Sequence, residues 1–538
     1  MAANASAGPH DTHPLLDPGV HQALARAERN PVGVIVRLRS GGATPQRVRL
    51  RGARAVAAGG TLSADYLRGA IGAEDLSALE LDPNVDHVSL DAPVMASMST
   101  DASGPLADSA LLLSSLGVEE VDGGHRVGVA VIDSGIQPSP GLRPVAAYDF
   151  TRGGLRTAPS DEYGHGTHVA GLIAAAAAAG MRGIAPGVRL ISLKVLDGEG
   201  RGVTSDVIDA IDFAVANRRA LGIDIINLSL GHPITEPAAD DPLVEAVNHA
   251  SRAGLIVVVA AGNSGRGPAG DPVYGGIMSP ANAISAITVG AADTLHTVGR
   301  ADDVVAGYSS RGPTRFDYRA KPDVVAPGHN LVSIGAEGSF LFEGHPERQV
   351  VDPRGRPYLR LSGTSMAAAV VSGVVALLVD EQHQNGRTLT PNEAKAALEF
   401  TAIPVVGADR LSQGAGSVNA RGAIDLVGRR SRTAGGERGT SPSTAAATVF
   451  DSTSYTWSQT IVWGNTIVWG NAIVWGNTIV WGNAIVWGNA IVWGNSWTVE
   501  GDAVLDSSPT WTAAYANDPV ADLAVGGEAI VWGNTFAP

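Results

Sequence analysis

Short aliphatic runs alternate with helical patterns between about residues 111 and 427. The aliphatic runs are near-continuous, as in strands buried on both faces, and they are Val127–Ile132, Leu190–Val195, Ile223–Leu230 and Leu255–Ala260. The helical patterns between them are Val169–Ala179, Thr204–Asn217 and Leu243–Ala253. This alternation predicts an α/β fold, with a mostly parallel sheet covered by helices on both faces.

A smaller unit precedes this region, at residues 31–95. Its pattern predicts a small α+β domain with strands at Val34–Leu38, around Arg47–Arg51 and at Asn84–Leu90, and with a short helix around Glu74–Leu81. A unit of this size is marginally stable alone. Residues 1–30 are polar and are expected to be loose, and residues 96–110 have the small polar composition of an exposed linker.

The C-terminal region has a different pattern. Residues 428–449 form an expected linker, rich in Arg, Gly, Ser and Thr, before a tail at 450–538. In the tail, Ile-Val-Trp-Gly-Asn recurs every six residues in six copies from Ile461 to Asn495, and a seventh copy lies at Ile530–Asn534. An even period keeps each residue type on one face of an extended chain, whereas a helix would scatter the tryptophans. We therefore predict stacked short strands or a thin β-solenoid, with a disordered low-complexity tail as the alternative.

Composition removes several classes of function. The net charge of −15, from 38 basic and 53 acidic residues, argues against a nucleic-acid partner. The chain has no cysteine, which excludes disulfides, thiolate nucleophiles and cysteine–zinc sites. No run is expected to resemble a membrane span of roughly 20 apolar residues. Residues 1–30 lack a signal-peptide pattern, so either the protein is not exported or its signal has been removed; the chemistry below favours the second.

Two polar residues stand at positions where catalytic side chains occur. Asp133 follows a buried strand at its carboxyl end, where ligand-facing residues of α/β sheets lie, although a turn or cap aspartate is the more common reading. His165 opens an Ala-rich helix between two glycines. His168 follows three residues later, but no third ligand or general-base glutamate accompanies the pair. We expect no metal site here and a structural role for His168.

Two further residues complete a candidate set. Ser365 leads into the helix Val370–Val379; such a serine is usually an N-cap, but as a nucleophile it needs a base and an orienting carboxylate. A helix N-terminus also stabilises developing negative charge. Asn263 follows the strand Leu255–Val259 in a Gly-Asn sequence that is common in turns. Its amide is alternatively a donor to a tetrahedral oxyanion, beside the backbone N–H of Ser365.

The four blocks around these residues, in the order Asp, His, Asn, Ser, resemble the subtilisin-like serine proteases (subtilases) over about residues 111–427. The resemblance implies a serine endopeptidase that acts on proteins or peptides and needs no cofactor. It makes Asp133, His165 and Ser365 the catalytic triad and Asn263 part of the oxyanion hole. It also implies two substrate-binding segments: Ser229, Leu230 and Gly231, which line the pocket for the residue before the scissile bond, and Gly200, Arg201 and Gly202, which pair with extended substrate.

The sequence departs from the family pattern at two places. Ala369 stands where the family usually has proline, and we expect no loss of activity because alanine is the better helix former. Many relatives carry a calcium loop at the position of Leu172–Met181. Here that stretch is mostly alanine and offers few of the oxygen ligands that calcium needs, so we do not expect a calcium site.

The unit at 31–95 resembles, chiefly by position, the inhibitory propeptide of subtilases. This implies a self-processing zymogen whose residues Asp91–Ala96 lie in the substrate groove and whose chain is cut between about Ala92 and Gly104. Such a protein is expected to be bacterial and secreted or on the cell surface. The family tends to cut after apolar or aromatic residues. Two alternatives remain: a catalytically silent scaffold, and a surface-binding or self-assembling protein that acts through its Trp repeat.

Overall fold

The structure is a computed structural model. It describes residues 16–27, 30–39, 51–55, 66–99, 101, 104, 107–352, 354–433 and 447–458, together with short strands between 460 and 536. Within these residues the chain forms a small N-terminal sheet, a central α/β unit, a C-terminal hairpin and a series of paired strands in the repeat region.

The N-terminal unit is an antiparallel sheet of four strands in the order β2-β3-β1-β4, with α1 packed on one face. Its elements are α1 (Pro18–Ala27), β1 (Val32–Leu38), β2 (Arg51–Ala55), β3 (Tyr66–Ile71), α2 (Leu76–Glu80) and β4 (Val85–Leu90). Val20 and Leu24 of α1 are buried in the same hydrophobic cluster as Val34 and Val88. The expectation of a loose segment is therefore wrong for residues 18–27. Residues 47–50 of the expected basic strand lie outside the described residues.

The central unit begins with β5, which follows β4 along the chain but does not pair with the N-terminal sheet. Its strands are β5 (Pro93–Ala96), β6 (Gly128–Asp133), β7 (Ala146–Asp149), β8 (Leu155–Arg156), β9 (Arg189–Lys194), β10 (Arg201–Val203), β11 (Ile225–Leu228), β12 (Leu230–Pro233), β13 (Ile256–Ala260), β14 (Met278–Ser279), β15 (Ile287–Asp293), β16 (Val304–Val305), β17 (Val324–Pro327), β18 (Leu331–Ile334), β19 (Gln349–Val351) and β20 (Pro357–Leu361). Its helices are α3 (Ser109–Leu116), α4 (His165–Ala174), α5 (Thr204–Leu221), α6 (Pro242–Arg252), α7 (Phe340–Gly344), α8 (Thr364–Gln384), α9 (Pro391–Thr401), α10 (Arg410–Gln413) and α11 (Ala420–Thr433).

Most of these strands form one sheet in the order β16-β15-β13-β11-β6-β9-β7-β8, with β17 also paired to β15. The strands from β15 to β7 along this order run parallel, and β8 and β16 are antiparallel edge strands. Alternate residues of β6 enter two different cores: Val129 and Val131 pack with α4 and α8, whereas Ala130 and Ile132 pack with α5 and α6. The predicted α/β architecture, with helices on both faces, is confirmed.

Helix α8 forms the middle of one of these cores. By length and apolar composition it could cross a membrane, so the expectation that no run would resemble a span is wrong. In the structure, 94% of the apolar stretch of this helix is buried inside the protein. Among the described residues it is therefore a core helix, with Ser365 in its first turn.

Two small sheets lie beside the main one. Strands β10, β5, β12 and β14 form an antiparallel sheet in that order, so β5 lies between two strands of the central unit. Strands β18, β20 and β19 form the other. The first sheet places residues of the N-terminal segment directly beside the carboxyl ends of the parallel strands, where the candidate catalytic residues lie.

The chain after α11 packs back onto the central unit. Strands β21 (Ala447–Phe450) and β22 (Thr453–Thr456) form an antiparallel hairpin, followed by the buried Trp457. The expected linker at 428–449 is therefore helical up to Thr433 and extended from Ala447, and its residues 434–446 lie outside the described residues.

In the repeat region the strands pair two repeats apart. They are β23 (Thr460–Ile461), β24 (Thr466–Trp469), β25 (Ala472–Trp475), β26 (Thr478–Trp481), β27 (Ala484–Trp487), β28 (Ala490–Trp493), β29 (Ser496–Trp497), β30 (Ile530–Trp532) and β31 (Thr535–Phe536). Of these repeat strands, the odd-numbered ones form one parallel sheet and the even-numbered ones another, and the Ile, Val and Trp of full repeats pair with the same residue types, as in Trp469 opposite Trp481. This backbone pattern is that of a two-sided solenoid with two repeats per coil.

Candidate active site

Asp133 and His165 are brought together by β6 and α4. Asp133 is the last residue of β6 and His165 the first of α4, and both are completely buried. Nδ1 of His165 lies 2.8 Å and 3.0 Å from the two carboxylate oxygens of Asp133. The close approach needs Gly166, because a Cβ there would lie 2.1 Å from the carbonyl oxygen of Gly135. The carboxylate thus fixes the orientation of the imidazole and leaves Nε2 as its free nitrogen.

Asp161 stabilises the turn that positions His165, and the sequence did not point to this aspartate. Its buried carboxylate accepts hydrogen bonds from the N–H of Gly164 (2.7 Å), from the N–H and hydroxyl of Thr167 (2.8 and 2.6 Å) and from the hydroxyl of Ser134 (2.8 Å). Burial raises the pKa of Asp161, and these hydrogen bonds oppose that rise. Its sequence signal is weak, since an aspartate in a polar stretch before a helix is usually a cap.

Ser365 lies in the first turn of α8, next to a carbonyl group of the N-terminal segment. The N–H of Ser365 donates to the carbonyl oxygen of Ser97 at 3.3 Å. Its Oγ lies 2.6 Å from that oxygen and 2.9 Å from the carbonyl oxygen of Ser229. Among the described residues, Nε2 of His165 has no hydrogen-bond partner, although it is buried. The hydroxyl of Ser365 is therefore directed to the carbonyl group of Ser97 rather than to His165.

Asn263 is held by the residue before Ser365. Its Oδ1 accepts the backbone N–H of Thr364 at 3.0 Å and the hydroxyl of Thr364 at 3.2 Å. The same hydroxyl oxygen accepts the backbone N–H of Gly262 at 3.1 Å. With Oδ1 occupied in this way, both Nδ2 hydrogens are left for other acceptors. Thr364 was missed by the sequence analysis, even though it lies inside the block that identified Ser365.

The predicted substrate-binding segments line the two sides of β5. On one side, Arg201 and Gly202 are paired with Met95 and Val94. On the other, Gly231 and Leu230 are paired with Met95 and Ala96, and the carbonyl oxygen of Ser229 accepts the N–H of Ser97 at 3.0 Å. Gly200 lies outside this pairing, where a Cβ would collide with the ring of Tyr163.

The chain continues past Ser365 without leaving the groove. After Ser97, the N–H of Ser99 donates to the carbonyl oxygen of Ser362 at 2.8 Å. A Cβ on Gly363 would lie 2.6 Å from the carbonyl oxygen of Ser97 and 3.1 Å from Cα of Met98. The peptide bond between Ser97 and Met98 is therefore held from both sides directly above the N-terminus of α8.

His168 takes no part in this cluster. It is completely buried, and its Nε2 lies 3.2 Å and 3.0 Å from the carbonyl oxygens of Leu331 and Leu359. Burial lowers the pKa of His168 to about 3, so the imidazole is neutral. Among the described residues, no group of three or more His, Cys, Asp or Glu side chains could hold a metal ion.

Charged residues of the N-terminal sheet contact the helical side of the central unit. Ion pairs between them include Arg37 with Asp240 (3.2 Å), Arg68 with Asp206 (2.9 Å) and His87 with Glu236 (2.6 Å). The hydroxyl of Tyr66 also donates to the carboxylate of Glu245. Asp91, just before β5, accepts the N–H and hydroxyl of Ser205 at the start of α5.

Two of these contacts carry shifted pKa values. Burial raises the pKa of Glu236 to about 7, although the hydrogen bond from His87 opposes the rise. Burial alone would lower the pKa of His87, but the hydrogen bond and charge of Glu236 raise it above its usual value. Burial likewise raises the pKa of Asp206 to about 6, against the charge of Arg68. These three groups therefore hold their protons more tightly than the same groups do when free in water.

The central part of the chain is similar to known proteases. The family model for the subtilase family matches residues 124–423. The chain is 38% identical over 311 residues to "Serine protease AprX" of Bacillus subtilis (strain 168), an overlap of 56% of this chain and 66% of that protein. It is 33% identical over 302 residues to "Subtilisin DY" of Bacillus licheniformis, an overlap of 56% of this chain and 91% of that protein. The chain thus spans about two thirds of AprX and most of Subtilisin DY.

One solved structure resembles the fold over much of the chain. It is that of fervidolysin from Fervidobacterium pennivorans, described as a keratinolytic enzyme related to subtilisin, with a TM-score of 0.57 and 23% sequence identity. The match covers 78% of this chain and 62% of that one. At this level of identity the similarity supports the fold alone.

Proposed function

The chain belongs to the subtilase family, and from this premise we propose that it is a serine endopeptidase that cuts protein or peptide substrates. The observation that carries the proposal is the carbonyl oxygen of Ser97 lying 3.3 Å from the N of Ser365 and 2.6 Å from its Oγ. Asp133 at the end of β6 and His165 at the start of α4 form the buried pair that would activate this serine. A chain segment is thus held against a serine, in a groove that pairs with it on both sides.

In the proposed reaction, Asp133, His165 and Ser365 act as the triad. Oγ of Ser365 attacks the scissile carbonyl carbon while Nε2 of His165 accepts the hydroxyl proton. Asp133 keeps the imidazole in the tautomer that presents Nε2 and stabilises the imidazolium that forms. His165 then donates the proton to the leaving amine, and a water molecule repeats the sequence on the acyl-enzyme. For this, Ser365 must exchange its present contact with Ser97 for one with Nε2 of His165.

The oxyanion of the tetrahedral intermediate would be bound by two donors, the backbone N–H of Ser365 and Nδ2 of Asn263. The first already points at a carbonyl oxygen, that of Ser97. For Asn263, the hydrogen bond from Thr364 to Oδ1 orients the side-chain amide and leaves Nδ2 as the free donor. Donors held in advance stabilise developing charge without reorganising at the moment of reaction.

We further propose that residues 31–95 are an inhibitory propeptide and that the bond cut in maturation is Ser97–Met98. Strand β5 fills the groove as a substrate would, with antiparallel partners on both sides. Cutting there leaves a carboxylate on Ser97 and a new amino group on Met98. The N-terminal piece then remains as a bound product, which blocks the groove until it dissociates. A protease made in this form is suited to export, so we place the active enzyme outside the cell or on its surface.

Fluorophosphonate labelling tests the proposed activity, because such probes react with a serine that is activated by a neighbouring base. We expect the processed protein to be labelled at Ser365 and the Ser365→Ala variant to remain unlabelled. Ser372→Ala is the matched control: Ser372 is also buried on α8, but its hydroxyl donates to Asn227 outside the cluster, and this variant should still be labelled. Absence of labelling in a processed, folded protein would favour the silent scaffold.

A further inference from the structure

The pocket that receives the residue before the scissile bond can be located from the contacts of Ser97. Its N–H donates to Ser229, and its carbonyl oxygen lies against Ser365. The side chain is thereby directed into the protein, where the residue is only 5% exposed. Among the described residues its Oγ has no hydrogen-bond partner. A buried hydroxyl without a partner indicates that the wall around it offers no polar group within hydrogen-bond distance.

Met278 lies beside Gly231, in the segment that binds Ser97, and beside Gly262, next to Asn263. It belongs to β14, which pairs with β12, opposite Pro233. A Cβ added to Gly262, just before Asn263, would lie 2.6 Å from both Cγ and Sδ of Met278. A Cβ added to Gly231, on the strand that pairs with the bound segment, would lie 3.4 Å from Cβ of Met278. The thioether side chain therefore occupies the region between Gly262, just before Asn263, and Gly231, two residues after the carbonyl that binds Ser97.

We propose that Met278 fills the pocket for the residue before the scissile bond, so that this enzyme cuts after small residues such as serine and alanine. The proposal rests on the proposed protease function and refines it. A large residue at this position would need the volume that the side chain of Met278 takes, and forcing extra atoms into a packed site is unfavourable. The family tendency to cut after apolar or aromatic residues is thus not expected here.

The segment around β5 indicates which other substrate position the enzyme would recognise. Val94, three residues before Ser97, is completely buried in the cluster that contains Leu196 and Leu230. Met95 next to it is 58% exposed. Recognition is therefore expected to depend on an aliphatic residue at the position of Val94 and on a small residue at the position of Ser97.

The test uses chromogenic peptides of sequence Val-Met-Ala-X in which X is Ala, Ser or Phe. For the processed wild-type enzyme we expect kcat/KM for Ala and Ser to exceed that for Phe by about 10- to 200-fold, the range that pocket size typically gives. Met278→Ala should raise the Phe-to-Ala ratio by about tenfold or more. Met181→Ala is the matched control, since Met181 is buried in the other core and its truncation should leave the ratio unchanged.

The wild-type ratio alone already tests the proposal, even if Met278→Ala fails to fold. A wild-type enzyme that cuts after Phe as fast as after Ala would overturn it, as would a folded Met278→Ala enzyme with an unchanged ratio. Failure of the proposed function gives a different result: no peptide is cut and fluorophosphonate does not label Ser365.

Discussion

Two segments flank the catalytic unit, and they contact it in different ways. The N-terminal sheet is attached through β5, through charged side chains such as Arg68 and His87, and through Ile35 and Tyr66, which pack into the core beneath α5 and α6. The C-terminal hairpin is attached through buried aromatic residues. Phe450 and Trp457 are 4% and 7% exposed, and Trp457 packs edge-on against Phe400 of α9.

Polar contacts of the hairpin are also internal to the fold. Nε1 of Trp457 donates to the hydroxyl of Thr448, which in turn accepts Nδ2 of Asn419. The guanidinium of Arg300 lies 5.4 Å from the ring centre of Phe450 while its other contacts are buried in the catalytic unit. The hairpin is thus integrated as a core element would be.

The difference indicates which segment can leave. Contacts made by charged groups are sensitive to pH and salt and resemble those of separable partners, whereas a contact made mainly by buried aromatic side chains resembles a permanent core. We infer that the N-terminal sheet is built to dissociate after cleavage and that the hairpin remains. The boundary between catalytic domain and tail should accordingly lie after Ser458 rather than near residue 450.

The largest expected effect is on stability. Trp457→Ala should lower the free energy of unfolding of the catalytic unit by about 3–5 kcal/mol, because a large buried side chain is lost and a cavity remains. Urea unfolding of the mature enzyme measures the change. Val449→Ala, on the same hairpin but 65% exposed, should have little effect. Equal, small changes for both variants would mean that the hairpin is only loosely attached.

The next effect concerns the strength of the N-terminal contact. Arg68 lies 2.9 Å from Asp206 and 3.4 Å from Asp209, both on α5. Arg68→Ala removes their partly buried partner, so the cleaved N-terminal piece should dissociate about tenfold or more faster. The rate at which peptide hydrolysis appears after dilution of the processed complex measures this. The urea midpoint of the mature enzyme should stay the same, in contrast to Trp457→Ala.

The pH dependence of the same contact follows from His87 and Glu236. The charged groups around the pair are Asp17, Arg37, Asp240 and Asp241. Both pKa values lie above the ordinary values of the free groups, so we expect the complex to take up protons on forming. This stabilisation is full below about pH 4.5, the ordinary pKa of a free glutamate, and is lost as pH rises through about 7.

We therefore expect inhibition by the bound N-terminal piece to be weaker at pH 8 than at pH 5, by about tenfold or more. The activity that appears on dilution of the processed complex at each pH measures it. Glu236→Gln, which cannot titrate and removes the partner that raises the pKa of His87, should flatten the profile. Inhibition that strengthens as pH rises would contradict the assignment.

The smallest effect on catalysis should come from the repeat. Deleting residues 459–538 leaves the hairpin in place, so hydrolysis of a short peptide should be unchanged. Oligomeric state or retention on a surface should change, because in-register parallel strands offer edges for further pairing. Loss of peptide hydrolysis with an unfolded protein would make the repeat part of the catalytic fold, and the contrast between the two flanking segments would then fail.

The sequence predicted the parts of this molecule that depend on local patterns. Aliphatic runs located the parallel strands, and the motifs located Asp133, His165, Asn263 and Ser365 at the ends of strands and starts of helices. The even repeat period predicted extended strands, although the pairing two repeats apart needed the backbone. The helix at 18–27 was not predicted because it has few apolar residues. Their spacing indicates a helix only once it is known that they pack against β1 and β4.

Other features depend on contacts between distant residues. Nothing near Met278 in the sequence shows that it lies beside Gly262 and Gly231, and Trp457 looks like part of the repeat until Phe400 and Thr448 surround it. The position of Ser97 could be bracketed only to within a linker, because the pairing of β5 with β10 and β12 sets the register. Long-range packing of this kind has no local signal for a single sequence to carry.

Determination of the N-terminus of the purified protein tests the central claim most directly. Wild-type protein should be cut between Ser97 and Met98, which gives a mature chain beginning at Met98. The Ser365→Ala variant, prepared without host proteases, should remain uncut. A mature chain that begins elsewhere, or a Ser365→Ala protein processed at the same bond, would contradict the account.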